Sequence, residues 1–233
     1  MMNRQQSGFT LVELLISTAL LSLVLFVASY SFSLFAGNWG KELGRYEQTA
    51  KFTRNVELVR RVFASTAPLL VDSGEGNKKS ALYLDGKQQY LRAASRYGVS
   101  TSDSVIYQLS IESTQEGKEQ LVYQEVASNT VLLDSYEQDL TFTFRLTLLE
   151  DVSALDFNYY GWKNSQDKSL QQSGMGVASK LWQHSFNAKE KRLFPEAIKL
   201  SIVYNTAQAV EQKLLFMTSL PSDAERILAE ESM

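Results

Sequence analysis

A long apolar run, Phe9–Ala36, constrains this chain more than any other feature of its sequence. The hydrocarbon core of a bilayer is about 30 Å thick, and roughly 20 helical residues cross it. The run is therefore long enough to form a membrane-spanning helix. Glu13 is the only charged residue in it. Because an unpaired carboxylate is costly in hydrocarbon, we expect a cation to lie beside Glu13.

Two other interpretations of this run have to be weighed. A secretory signal peptide has an apolar segment of about 7–15 residues that ends at a small-residue cleavage site. The run in this chain is far longer, and the polar segment before it contains a single basic residue, Arg4. The signal-peptide interpretation therefore fails on length. The remaining alternative is a plain signal anchor in which Glu13 is solvated at the membrane surface.

The residues Met1–Gly8, followed by Phe9-Thr10-Leu11-Val12-Glu13, resemble the leader and helix start of type IV prepilins. The resemblance implies that a membrane-embedded prepilin peptidase cleaves between Gly8 and Phe9, and that Phe9 is then N-methylated. A glycine before the cut suits this reaction, because the lack of a Cβ lets the backbone approach a protease closely. The motif also places the leader in the cytoplasm and the rest of the chain outside.

Cleavage at this site would create an ammonium group at Phe9, one helical turn from Glu13. In a low-dielectric helix bundle, a cation beside the carboxylate is strongly attracted to it and relieves its desolvation cost. The partner is either the chain's own Phe9 amine or the amine of a neighbouring subunit. The resemblance implies the neighbour's amine, which would align subunits in register as they assemble into a filament.

Composition limits the remaining functions. The chain has 233 residues, a hydrophobic content of 44% and a formal net charge of −3. This charge gives no support for nucleic-acid binding, which usually needs a basic patch. The sequence has no cysteine, which excludes disulfides, thiolate chemistry and cysteine-ligated zinc. The part that follows the apolar run is long enough for one ordinary domain with its own core.

Beyond the apolar run, apolar residues at three- and four-residue spacing predict that the helix continues as an amphipathic segment. Gly37 and Gly40 mark a flexible point near the membrane surface, because glycine costs about 1 kcal/mol relative to alanine in a helix. The helix is expected to end near Pro68, which cannot continue it. The predicted apolar stripe comprises Leu43, Tyr46, Ala50, Thr53, Val56, Val59 and Phe63.

After a polar turn at 72–77, the pattern changes to the period of two that is typical of strands. Turn residues at 116–118 and 128–130 predict two hairpins. A polar loop is expected at 164–176, and residues 222–233 are expected to form a frayed acidic tail or a short helix. The predicted strands are Ala81–Asp85, Val105–Glu112, Leu121–Val126, Val131–Tyr136, Leu140–Leu149, Leu155–Tyr160, Ala197–Tyr204 and Lys213–Thr218.

Together these elements predict an α+β fold, in which a long N-terminal helix packs on a mostly antiparallel β-sheet. This is also the pilin-like architecture that the prepilin resemblance implies. Four parts are expected: a leader at 1–8, a transmembrane or filament-core helix at 9–37, its amphipathic continuation at 38–68, and a β-rich globular domain at 69–233.

A second resemblance covers the C-terminal half of the chain. It is carried by the aliphatic and aromatic segment Leu148–Tyr160, by Trp162 and Trp182, and by the segment Pro195–Leu200. Together these residues resemble the J-type minor pseudopilins of type II secretion, whose close relatives are minor pilins of type IV pili. The segment 73–105 carries little of this resemblance.

The J-type resemblance implies a scaffold subunit at the tip of the pseudopilus, where it helps to prime filament assembly for protein export. Its expected partners are the I- and K-type minor pseudopilins or other minor pilins, the major pseudopilin or pilin of the shaft, and an inner-membrane platform driven by a cytoplasmic ATPase. The protein would cross the bacterial inner membrane once, with its globular domain in the periplasm.

The two tryptophans of the C-terminal half have two interpretations. Trp162 and Trp182, if exposed, are candidate partner contacts, because aromatic side chains concentrate binding energy at interfaces. Alternatively, both cover the core of the sheet. The sequence favours the core interpretation for each.

The sequence offers little material for catalysis. His184 is its only histidine, and a single histidine without cysteine cannot build a Ser-His-Asp or Cys-His site by itself. Trp182 and Phe186 nearby favour simple packing of this histidine. The paired carboxylates Glu150 and Asp151 are expected to precede a turn. We therefore expect no enzyme activity and no cofactor.

A calcium site is the other candidate in the sequence. Asp72, Glu75 and Asn77 offer oxygen atoms, which Ca²⁺ prefers as ligands. They do not follow the EF-hand pattern, and an ordinary polar turn is the favoured interpretation. The calcium loop of major pseudopilins has no evident counterpart, so we expect no metal.

Three functions from different classes remain open. The first is a type II secretion minor pseudopilin, and the second is a minor pilin of an MSHA-like or PilW-like type IV pilus. The third is an anchored enzyme or receptor that merely carries the leader motif. The lack of a candidate active site argues against the third. The sequence does not separate the first two, because the same helix and sheet serve either filament.

Overall fold

The computed structural model describes residues 10–74, 80–131, 133, 135–206, 210–221 and 224–231. Its first element is the helix α1, Leu11–Ser65, which contains no proline. The chain divides into two compact units, Met1–Lys51 and Phe52–Met233, and α1 contributes to both. The strands all belong to the second unit.

The second unit contains short helices as well as strands. Its helices after α1 are α2 (Ser165–Gln172), α3 (Ala188–Lys191) and α4 (Ala224–Glu231). Its strands are β1 (Thr66–Ala67), β2 (Leu70–Asp72), β3 (Ser80–Leu82), β4 (Leu84–Lys87), β5 (Tyr90–Ser95), β6 (Val105–Ser113), β7 (Glu119–Ala127), β8 (Phe144–Leu149), β9 (Val152–Gly161), β10 (Leu181–Gln183), β11 (Phe186–Asn187), β12 (Ala197–Asn205) and β13 (Glu211–Ser219).

The described strands form two main antiparallel sheets and a two-stranded ribbon. The seven-stranded sheet has the order β11-β4-β5-β6-β7-β8, and β1 also pairs with β5. The four-stranded sheet has the order β10-β9-β12-β13, and β2 pairs with β3 in the ribbon. From β4 to β8, strands that follow one another along the chain are neighbours in space, as short hairpin connections favour.

Regular alternation of side chains explains the four-stranded sheet. In β12, Ile198, Leu200 and Ile202 are fully buried, whereas the residues between them are half-buried. Successive side chains of a strand point to opposite faces, so one face of this sheet is apolar and packs inward. The other face, which we call the outer face, carries polar residues such as Lys199 and Ser201.

The C-terminal part of α1 and both sheets enclose one main hydrophobic core. Val59, Val62 and Phe63 of α1 are each 2% exposed. The Phe63 ring stacks on Phe157 of β9, with 6.2 Å between the ring centroids. Burial of one such side chain contributes about 1.5–3 kcal/mol, so this part of α1 is integral to the second unit.

A buried polar contact fixes α1 near the point where the chain passes between the sheets. Asn55 is 3% exposed, and its Nδ2 donates to the carbonyl oxygen of Leu148 in β8 at 2.7 Å. The chain then turns at Asp151, whose φ of 54° is left-handed, and enters β9 of the other sheet. Glu150 and Asp151 were predicted to precede a turn, whereas the structure places them in the turn itself.

The α+β class, with a long N-terminal helix followed by antiparallel strands, is confirmed. The prediction of a single sheet was too simple, because the strands divide between two main sheets. The predicted strands that recur with small differences at their ends are Val105–Glu112, Leu121–Val126, Leu155–Tyr160, Ala197–Tyr204 and Lys213–Thr218.

The predicted apolar stripe of α1 is wrong over its first half. Leu43 and Tyr46 are 51% and 73% exposed, and Ala50 and Thr53 are exposed as well. Burial begins where the second unit begins, because there the sheets lie against the helix. The buried and half-buried face comprises Phe52, Asn55, Val56, Leu58, Val59, Val62 and Phe63. The helix ends at Ser65, close to Pro68 as predicted, and β1 follows directly.

The predicted strand Val131–Tyr136 is wrong at its described residues 131, 133, 135 and 136, which lie outside any strand. Tyr136 is nevertheless 6% exposed, and its ring packs edge-on against Tyr83 with 5.4 Å between centroids. Its hydroxyl donates to the carbonyl oxygen of Leu84 at 2.8 Å. From a loop, Tyr136 is thus buried in a second small core cluster, and Val131 and Leu133 are half-buried against it.

Three further predictions need correction. The predicted strand Ala81–Asp85 is two strands, β3 and β4, which pair with different partners. The predicted strand Leu140–Leu149 begins only at Phe144. The predicted polar loop at 164–176 contains α2, whose Asn164 cap accepts a hydrogen bond from the Asp167 amide at 2.7 Å. In the C-terminal tail, the helix alternative is confirmed by α4.

Candidate functional site

Glu13 closes the first turn of α1 through hydrogen bonds with Thr10. The backbone N–H and the hydroxyl of Thr10 both donate to Oε2 of Glu13 at 3.0 Å. In return, the Glu13 N–H donates to Oγ1 of Thr10 at 3.3 Å. This reciprocal pair is a capping box, which satisfies amides that a helix start leaves without partners. The Thr-x-x-Glu spacing is a sequence signal for this contact, which was not predicted.

The surface of α1 around Glu13 is apolar. Leu11, Val12 and Leu14 are 60–77% exposed, although each is aliphatic. A helix that is apolar on every side is typical of a segment that lies in lipid or against other helices. By length and composition α1 is able to cross a membrane, and no residue of its most apolar stretch is buried in the structure.

Trp39 follows this apolar part of α1 and was not singled out from the sequence. Its side chain is 61% exposed, and its ring lies 5.7 Å from that of Phe35. Membrane helices often carry tryptophan at the level of the lipid headgroups, where the ring is apolar and its N–H can meet water. The signal that could have found it is its position between the apolar run and Lys41.

Trp162 lies directly after β9 and is half-buried against the main core. Its backbone carbonyl accepts a hydrogen bond from Nε2 of Gln183 at 3.3 Å. Nζ of Lys180 lies 5.6 Å from the ring centroid, within the range of a cation–π contact. The surroundings of Trp162 therefore match the interpretation that it covers the core.

Trp182 has different surroundings. It lies on the edge strand β10, directly opposite Tyr160 of β9, and the two ring centroids are 5.2 Å apart. Nζ of Lys199 lies 4.9 Å from the Trp182 ring. The side chain remains 39% exposed on the outer face of the four-stranded sheet. Of these two tryptophans, Trp182 is the more exposed.

The predictions for His184 and for the polar turn at 72–77 had different outcomes. The expectation that His184 packs against its neighbours is wrong, because its side chain is 68% exposed with Nδ1 3.5 Å from Oδ1 of Asp156. At the polar turn, Oδ1 of Asp72 accepts a hydrogen bond from the Gly74 amide at 2.7 Å, as expected of an ordinary turn. Glu75 and Asn77 lie outside the described residues. Among the described residues, no group of three potential ligands is placed to hold a metal.

Glu125 of β7 is the buried charged side chain among the described residues, with 1% exposure. Its carboxylate accepts hydrogen bonds from the Val99 amide at 2.7 Å and the Ser100 amide at 2.6 Å, and also from the hydroxyls of Ser100 and Tyr123. Burial, reinforced by this carboxylate, raises the pKa of Tyr123 well above its ordinary value. Because its carboxylate accepts four hydrogen bonds, Glu125 anchors the loop between β5 and β6 and is not a candidate for catalysis.

The comparison with known proteins bears on the first turn of α1. Residues 3–29 match the family model of the prokaryotic N-terminal methylation motif. This match supports a type IV pilin-like protein. For a pilin-like chain, the motif implies processing by a prepilin peptidase and assembly with other pilins. No curated protein matches the sequence.

The architecture fits a pilin-like chain, because a long apolar helix is followed by antiparallel sheets. The motif and the apolar helix are together consistent with a membrane-anchored protein that carries a globular domain. Gly8 and Phe9, the predicted cleavage site, lie outside the described residues. Thr10 follows Phe9 directly, and together with Glu13 it forms the described part of the candidate assembly site.

Proposed function

We propose that this protein is a minor pseudopilin at the tip of a type II secretion pseudopilus. The observation that carries the proposal is the single carboxylate of Glu13, held in the first turn of an exposed apolar helix that matches the methylation motif. The J-type resemblance of the segments 148–160 and 195–200 supports a minor subunit rather than one of the shaft.

Processing and assembly then follow from the chemistry of the first turn. Cleavage after Gly8 would free the Phe9 amine, and both Thr10 donors end on Oε2 of Glu13. The other carboxylate oxygen, Oε1, is then available to the amine of a neighbouring subunit. A charge pair of this kind is strongly attractive in a low-dielectric bundle, whereas either charge alone would be costly there. It would set the register of the helices.

The proposal places the protein in the bacterial inner membrane, with its globular domain in the periplasm. Its partners would be the prepilin peptidase, the I- and K-type minor pseudopilins, the major pseudopilin and the inner-membrane platform. Its role is structural, without catalysis and without a cofactor. Trp182, on the outer face of the four-stranded sheet, is the better candidate for a partner contact, and Trp162 is the second.

A crosslinking experiment in the native host tests this function. Membranes from cells with the wild-type chain or Glu13→Leu would be crosslinked, and partners that copurify with the chain would be identified by mass spectrometry. Val12→Leu, which changes an exposed aliphatic neighbour, is the matched control. We expect the wild-type and control chains to retain I- and K-type subunits, and the Glu13→Leu chain to lose most of them.

Two results would change the assignment. Recovery of type IV pilus subunits instead would make the protein a minor pilin of such a pilus, which shares the same first turn. Equal recovery with Glu13→Leu and the wild type would refute the ion pair as the step that recruits partners.

A further inference from the structure

The strand β13 has an unpaired edge. It pairs with β12 over all nine of its residues, in a continuous antiparallel register from Ala197↔Ser219 to Asn205↔Glu211. On its other side no described strand is paired with it. In an antiparallel ladder every second residue directs its N–H and C=O away from the neighbouring strand. The free side of β13 therefore presents a row of unpaired backbone donors and acceptors.

This edge is accessible and apolar at its centre. Every residue of β13 is exposed or half-buried. Leu215 and Met217, on the outer face, are 63% and 69% exposed. Leu214 and Phe216, on the inner face, pack against the main core but remain half-buried. A strand added at this edge would meet apolar side chains on both faces.

The other edges among the described residues are short or engaged in contacts, and β1, β2 and β3 have only two or three residues each. β10 has three residues and β11 has two. On β8, Arg145 forms a salt bridge with Glu112 at 2.6 Å, and the carbonyl oxygen of Leu148 accepts a hydrogen bond from Asn55 of α1. Proteins commonly guard free edges in such ways, with short strands, charges or covering elements. β13 is long and has no proline and no bulge, so it stands apart from these edges.

We propose that the free edge of β13 binds an extended segment of a different protein chain, which adds a fifth strand to the four-stranded sheet. The backbone of the segment would pair with the unpaired groups of β13. Its centre would carry apolar residues toward Leu215 and Phe216. Glu211 and Lys213 lie two residues apart on the outer face, so the segment would place a basic and an acidic residue opposite them.

The charges of β13 disfavour a second copy of this chain as the occupant. An antiparallel pair with full overlap, centred on Leu215, sets Lys213 opposite Met217 and Glu211 opposite Ser219, so neither charge meets an opposite one. A shifted register that pairs Glu211 with Lys213 leaves Leu215 and Met217 beyond the partner's strand. No antiparallel register of two copies satisfies both the charges and the apolar centre, whereas a different sequence can satisfy both.

Photocrosslinking in the native host tests the proposal, and it does not depend on which filament the protein serves. A photoreactive residue would replace Leu215 or Met217 in the full chain, and the crosslinked peptides would be sequenced by mass spectrometry. Val177, an apolar residue that is fully exposed away from this edge, is the control position. We expect positions 215 and 217 to crosslink to residues two apart in one segment of one partner. The control should not reach that segment.

Some outcomes would overturn the proposal. Crosslinks from 215 and 217 to unrelated segments would indicate that the partner packs on the outer face of the sheet instead of pairing with β13. Crosslinks to residues 213–217 of another copy would indicate self-pairing. Absence of crosslinks at both positions would refute an occupied edge. Processing at Gly8 and recovery of filament subunits are read separately, so failure here leaves the proposed function standing.

Hydrogen exchange supplies a second test with the captured complex. Binding of a strand should slow exchange at alternate amides of β13 by about tenfold or more, because only those amides gain hydrogen bonds. The exchange rates of the intervening amides, which are already bonded to β12, should not change.

A substitution at the edge gives a further test. Leu215→Lys, which puts a charge on the edge, should reduce capture of the partner by about tenfold, and Val177→Lys should not. Uniform protection along β13, or equal capture by the two variants, would contradict strand addition.

Discussion

The two parts of α1 place the same residue type in opposite surroundings. Phe26 and Phe32, in the first unit, are 71% and 73% exposed, whereas Phe63, in the second unit, is 2% exposed. All three lie in one helix without an internal break. Phe63 is buried because two sheets fold against its part of the helix. Hydrophobicity alone therefore does not reveal whether a residue of α1 serves the core of this chain or a contact outside it.

The largest expected effect concerns processing before the exposed part of α1. Gly8→Leu should leave the leader attached to nearly all of the protein, because a bulky Cβ substituent keeps the backbone from approaching the peptidase closely. Mass spectrometry of the N-terminal peptide from purified membranes measures this. Ser7→Ala is the control, and it should be cleaved normally. Normal cleavage of the Gly8→Leu chain would contradict the assigned cut.

The contrast between exposed and buried phenylalanines of α1 can be tested by substitution. Phe63→Ala should lower the free energy of unfolding by about 3–5 kcal/mol, because it removes a buried ring and leaves a cavity. Phe32→Ala, at an exposed position of the same helix, should change it by less than about 0.5 kcal/mol. Urea unfolding of the full chain in detergent, followed by tryptophan fluorescence, gives both values. Equal losses would mean that the exposed part also supports the fold.

A smaller effect is expected at the polar contact of the buried part. Asn55→Ala removes the hydrogen bond to Leu148 and should cost about 1–3 kcal/mol, because the carbonyl of Leu148 loses its donor. Thr53→Ala, two residues earlier and exposed, is the matched control. The same unfolding assay applies. If the two variants were equally stable, Asn55 would not fix α1 against β8.

The smallest effects separate the two tryptophans of the second unit. Trp162→Ala should cost roughly 2 kcal/mol of stability, since the half-buried ring packs on the core, and Trp182→Ala less than about 1 kcal/mol. In the crosslinking assay the order should reverse, with Trp182→Ala losing more of the captured partner. A greater loss of stability from Trp182→Ala would assign this residue to the core as well.

The elements that the sequence predicted well are long and regular. α1 was predicted because its apolar run and its spacing persist for many turns. β12 was predicted because its apolar and polar residues largely alternate, and its burial follows that alternation. The motif at 3–29, which bears on function, was also readable because it is a short contiguous segment.

The misses have physical causes. β5 contains Ala93, Ala94 and Arg92, which give no clear period of two, yet it is buried because strands lie on both sides. The loop around Tyr136 has strand-like residues, but they fill a gap beside Tyr83 instead of pairing. α2 was missed although Asn164 and Asp167 carry a helix-capping signal, so that error was avoidable.

By itself, the sequence determined the apolar helix, the carboxylate of Glu13 in its first turn and the α+β class, because each depends on residues close together along the chain. Only the tertiary structure decided where burial of α1 begins, which of Trp162 and Trp182 is the more exposed, and that β13 keeps a free edge. Those features depend on which distant segments meet. The pairing of β12 with both β9 and β13, for example, leaves β13 at the margin of its sheet, and no local pattern in Glu211–Ser219 specifies that position.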